Sequence, residues 1–88
     1  MNTIAIYPGT FDPITNGHAD LVGRALRHFE RVIIAVAGST GKTTCFTLDE
    51  RVSLARTALA HLDNLEVMSF DGLLVKFAQD QGAGVILR

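Results

Sequence analysis

The sequence predicts an α/β domain built on a doubly wound parallel sheet. Three observations predict it. Short apolar runs alternate with segments of helical period in the order β-α-β-α-β-α-β. One of those runs, Val32-Ile33-Ile34-Ala35-Val36-Ala37, is continuously apolar, as in a strand that crossover helices cover on both faces. The connections are short, with no repeat and no low-complexity linker, so 88 residues make one domain at most.

Taken in order, Ile4 to Tyr7 reads as a short strand. Tyr7-Pro8-Gly9-Thr10-Phe11-Asp12-Pro13-Ile14-Thr15-Asn16-Gly17-His18 then has the grammar of a strand end, a tight loop and a helix start. From Gly17, Leu21, Val22, Ala25, Leu26 and Phe29 recur at three and four, which predicts a helix with Asp20, Arg24 and Arg27 on its outer side. Arg31 leads into the second strand, and Gly38 to Thr44 is a polar loop. Thr47 and Glu50, three apart, form a capping box ahead of Val52, Ala55, Leu59 and Leu62, and Asp63-Asn64 ends that second helix. Leu65 to Phe70 is the third strand. Asp71-Gly72 turns into a third helix through Leu73, Leu74, Phe77 and Ala78, stopped by Gly82, and Val85-Ile86-Leu87 is the fourth strand.

Composition narrows the function. A net charge of -1 argues against a nucleic-acid groove, which shows as a basic excess, and favours small-molecule chemistry. No apolar run is long enough for a bilayer, and Met1-Asn2-Thr3-Ile4 lacks a basic leader, so the expectation is a cytoplasmic protein without membrane contact. The single cysteine, Cys45, has no disulfide partner and no metal-ligand spacing around it.

In a parallel sheet, ligands sit beyond the carboxyl ends of the strands. That edge collects Thr10 and His18 after the first strand, Lys42 after the second, Leu74 after the third and Arg88 after the fourth. Cations, a helix-start imidazole and the free N–H groups of a helix N-terminus suit a polyanion such as a phosphate ester. Phosphoryl or nucleotidyl transfer needs positioning and charge neutralisation more than covalent help, so no triad or carboxylate pair is required. Gly38-Ser39-Thr40-Gly41-Lys42-Thr43 is not a P-loop, because only two residues separate its glycines. Arg24, Arg27, Arg51 and Arg56 read as solvated helix positions, Asp12 as a turn residue bonding its own backbone, and Phe46 and Phe70 as core.

Tyr7-Pro8-Gly9-Thr10-Phe11-Asp12-Pro13 with Thr15-Asn16-Gly17-His18 resembles the signature of the bacterial phosphopantetheine adenylyltransferases, in the nucleotidyltransferase superfamily that shares an H/T-x-G-H motif. Phe46-Thr47-Leu48-Asp49-Glu50-Arg51-Val52, Asn64-Leu65-Glu66-Val67 and Val85-Ile86-Leu87-Arg88 fit as well. The resemblance implies a Rossmann-like fold and adenylyl transfer from ATP to 4'-phosphopantetheine, giving 3'-dephospho-coenzyme A and pyrophosphate with Mg²⁺. It implies Thr10, Phe11 and His18 at ATP, with His18 and Lys42 catalytic, and Thr10, Lys42, Leu74 and Arg88 at phosphopantetheine. Coenzyme A as an inhibitor and a homo-oligomer, hexameric in the full-length family, are implied too. Family chains continue beyond the position of Arg88. Residues 1–88 are therefore expected to be the N-terminal part of one nucleotidyltransferase domain, truncated after its fourth strand and inactive alone. Two other expectations stand beside it: a sibling nucleotidyltransferase with another acceptor or nucleotide, which Thr15 in place of His disfavours, and a non-catalytic, self-associating fragment.

Overall fold

A computed structural model describes residues 3–38 and 43–87. Its elements are β1 (Ile4–Gly9), α1 (Asn16–Ala25), β2 (Arg31–Ala37), α2 (Leu48–Ala58), β3 (Leu65–Phe70), α3 (Leu74–Asp80) and β4 (Val85–Ile86). The strands are all parallel and lie in the order β3-β2-β1-β4, the doubly wound arrangement expected from the sequence.

The order decides which face each helix covers. α1 and α2 carry the chain step by step from β1 to β3, whereas α3 carries it back across to β4. Parallel crossovers are right-handed, so reversing direction moves the helix to the opposite face. Packing follows that rule. Val22 and Ala25 of α1, with Ala55 and Leu59 of α2, join Ala5, Val32, Ile34, Val36 and Val67 in one core. Ala78 of α3 joins Ile6, Ile33 and Ala35 in the other. Every residue from Val32 to Val36 is buried, which accounts for the unbroken apolar run.

Several boundaries differ from the sequence expectation, among them the end of α2, which stops at Ala58 rather than at Asp63-Asn64. β1 continues past Tyr7 through Pro8 to Gly9, although proline has no N–H to give a ladder. The carbonyls of Ile4 and Ile6 accept from Gly84 and Leu87 on the β4 side, and Pro8 faces that same side, beyond the last β4 pair at Ile6–Ile86. α1 ends at Ala25, earlier than the recurrence through Phe29 suggests. His28 and Phe29 both donate to the Ala25 carbonyl in a turn, and Phe29 still packs on the first core. Leu73 caps α3 rather than entering the core and is 77% exposed, and Gly82, with φ 71, closes the element in the left-handed region that glycine tolerates.

The capping box of α2 is formed as the sequence predicts. Thr47 Oγ1 accepts from the Glu50 N–H at 3.2 Å, and Glu50 Oε1 accepts from the Thr47 N–H at 2.9 Å. Thr47→Ala is expected to cost about 1 kcal/mol. Urea unfolding checks this: the midpoint falls and the slope stays unchanged. Among the described residues no helix is long and apolar enough to cross a membrane.

Candidate active site

Chain direction across the sheet reverses at β1, which has β2 on one side and β4 on the other. The carboxyl end of β1 is thus the switch point where such sheets open a crevice, and Thr10 to His18 leave from it.

Phe11 holds the start of this loop. Its backbone lies at φ 50, where residues other than glycine are uncommon, and its ring turns back into the first core with 4% exposure. A Cβ on Gly9 would stand 3.1 Å from that ring, so glycine leaves the room the ring occupies. The ring meets Tyr7 edge-on at 5.4 Å and His18 at 4.9 Å between centroids, while Tyr7 and His18 stand 6.1 Å apart. Edge-to-face contacts of this kind orient as well as attract, and together they set the plane of the His18 imidazole.

Its rotation is set by the helix cap. Thr15 is the N-cap of α1, its Oγ1 accepting from the His18 N–H, and the His18 side chain completes a capping box in return. The Thr15 N–H donates to His18 Nδ1 at 2.9 Å, and Thr15 Oγ1 lies 3.0 Å from the same nitrogen. Because Nδ1 accepts, the neutral ring carries its hydrogen on Nε2. Among the described residues Nε2 has no partner, so a donor is presented at the helix start, where an anion is also favoured by the dipole.

Asp12 and Arg51 join this loop to the next one. Asp12 is structural, as expected, but its partners are not its own backbone: Oδ2 accepts from the Cys45 N–H at 2.7 Å and Oδ1 from the Phe46 N–H at 2.9 Å. Arg51 corrects the sequence reading outright. Read as a solvated helix position, it is 3% exposed and donates to three carbonyls. Nη1 reaches Thr10 at 2.9 Å and Ala37 at 3.0 Å, and Nε reaches Phe46 at 3.2 Å. A signal for it existed, since Arg51 stands four residues before Ala55 and eight before Leu59, in line with the buried face of α2. Phe46, read as core, is half-buried and borders a surface groove with Asp49, Glu50, Ser53 and Leu54.

Thr10, Phe11 and His18 therefore come together at the end of β1. Leu74 stands at the start of α3, half-buried against the core on the opposite face, and β3, which precedes it, is separated from β1 by β2. Lys42 and Arg88 lie outside the described residues. A groove of about 500 Å³ between α2 and β3, walled by Leu59, Leu62, Leu65 and Val67, includes none of the expected site residues. Among the described residues no three His, Cys, Asp or Glu side chains are grouped to hold a metal ion.

Comparison with known proteins agrees with this architecture. A family model described as cytidylyltransferase-like matches residues 6–88. The phosphopantetheine adenylyltransferase of Thioalkalivibrio sulfidiphilus (strain HL-EbGR7) is 62% identical over all 88 residues, which correspond to 55% of that protein. The chain thus spans about half the length of this curated relative. Among solved structures, the lipopolysaccharide core biosynthesis protein of Thermoplasma volcanium GSS1 superposes with a TM-score of 0.77 at 20% identity, over 96% of this chain and 71% of that one. A bifunctional NMN adenylyltransferase/ADP ribose pyrophosphatase of Francisella tularensis, solved with AMP and a manganese ion, gives a TM-score of 0.67 at 24% identity, over 93% of this chain and 25% of that one. At these identities the two structures speak for the fold alone.

Proposed function

The chain belongs to the cytidylyltransferase-like family, and from that premise we propose that its protein transfers the adenylyl group of ATP to 4'-phosphopantetheine, releasing pyrophosphate and forming 3'-dephospho-coenzyme A. One observation carries the reading: an imidazole whose Nε2 hydrogen is offered at the carboxyl end of β1, beside Thr10, in a chain 62% identical to an enzyme named for this reaction.

The chemistry divides among few groups. The phosphate of phosphopantetheine is already ionised and attacks the α-phosphorus of ATP without a general base. His18 donates from Nε2 to the α-phosphate oxygens as charge gathers on them, the role of a preorganised donor. Thr10 and the Phe11 backbone border ATP, Lys42 orients the attacking phosphate, Arg88 holds it, and Leu74 lines the pantetheine arm. No three such ligands are grouped among the described residues, so a magnesium ion would be held chiefly by the triphosphate that brings it. When bound, such an ion would neutralise charge on the leaving pyrophosphate. In this reading residues 1–88 are the N-terminal part of one nucleotidyltransferase domain, and the protein works in the cytoplasm as a homo-oligomer, hexameric like the full-length family, open to inhibition by coenzyme A.

The test is pyrophosphate release by the protein in its natural length, with ATP and each acceptor in turn. Release that depends on 4'-phosphopantetheine supports the reading. Release with CTP in place of ATP, or with nicotinamide mononucleotide in place of phosphopantetheine, overturns it in favour of a sibling transferase.

A further inference from the structure

Resting on the reading above, we propose that Arg51 is a positioning residue of the transfer reaction, paired with Asp12 in a clamp that fixes the β1–α1 loop against the segment leading into α2. The guanidinium is 3% exposed, and the partners the structure gives it are carbonyl oxygens from three separate stretches of chain, Thr10, Ala37 and Phe46. A buried cation is costly, and an apolar side chain of similar volume usually packs as well or better. What an apolar residue does not provide is a planar fork of donors that gathers three acceptors at once.

Asp12 supplies the converse half. Its two oxygens take the N–H groups of Cys45 and Phe46, so Phe46 is held at its N–H by Asp12 and at its carbonyl by Arg51. Thr10 is held at its carbonyl by the same guanidinium, and the next residue, Phe11, carries the ring against which His18 stands. Arg51 touches no reacting atom. It acts through Thr10 and Phe46, and a shift of the loop end by even an ångström displaces the donor on His18.

The experiment compares R51M, R51K and D12N with the parent, in the protein at its natural length. In R51M, kcat is expected to fall about tenfold or more while the KM for ATP moves less than about threefold, the split that marks an interaction felt at the transition state. R51K recovers only part of the loss, because one ammonium cannot span three carbonyls. Combined with H18A, R51M costs far less than it does alone, since the donor it misplaces is already gone. NMR of the ligand-free protein gives a readout apart from activity: the ring signals of Phe11 and His18 shift in R51M. Unmoved ring signals, or a kcat per folded molecule equal to the parent's, overturn the clamp. So does a loss that multiplies in full with H18A. If the ring signals move while pyrophosphate release proves independent of phosphopantetheine, the clamp stands and the assigned reaction falls. Should R51M not fold, D12N carries the test, because its amide oxygen accepts only part of what the carboxylate accepts. A smaller loss, also confined to kcat, is expected of it, and an unchanged kcat overturns the proposal.

Discussion

In the proposed transfer by the protein at its natural length, His18→Ala is expected to lower turnover by about a hundredfold to a thousandfold, the usual loss when one preorganised donor to a developing oxyanion is removed. The effect belongs in kcat, because the ground-state α-phosphate finds other partners at a helix start while the extra charge of the transition state does not. The substitution also removes half of the α1 capping box, in which His18 Nδ1 accepts from the Thr15 N–H. That part costs about 1 kcal/mol of stability and is read separately by urea unfolding. Pyrophosphate release at the parent rate would end the role assigned to the imidazole.

Ile34→Ala is expected to be the most damaging change to the fold. Ile34 is fully buried in β2, opposite Tyr7 on one neighbouring strand and Val67 on the other, so its side chain has no path to water and little freedom to be replaced by movement of others. Truncation to alanine leaves a cavity in the first core at about 2–5 kcal/mol. A total stability of about 5–15 kcal/mol makes that a large fraction. Urea unfolding should show a much lower midpoint with the slope preserved. A loss below about 1 kcal/mol would mean the site collapses freely, contrary to its packing.

The fold was readable because its determinants are local and periodic. Val32 to Val36 announce a strand buried on both faces, and Thr47 with Glu50 announces a helix start; both hold with no reference to distant residues. The grouping of Thr10, Phe11 and His18 at the end of β1 was readable, because they are neighbours along the chain. Arg51 was not, because its burial depends on carbonyls from Thr10, Ala37 and Phe46 converging where β1, β2 and the lead into α2 meet. Nor were Asp12's partners, which lie 33 and 34 residues further on. Boundaries failed for a related reason: whether Pro8 stays in β1 is decided by its pairing with Ala35 of β2, a residue far along the chain.

The switch of face by α3 also bears on the proposed transfer, in which two reactants meet at one phosphorus atom. α1 brings His18 to the crest of the sheet from one side, and α3 brings Leu74 from the other. A displacement at phosphorus asks for nucleophile and departing group on opposite poles of the atom. In the proposed transfer, the groups that meet His18 and Leu74 would therefore stand against different faces of one sheet rather than share a single wall.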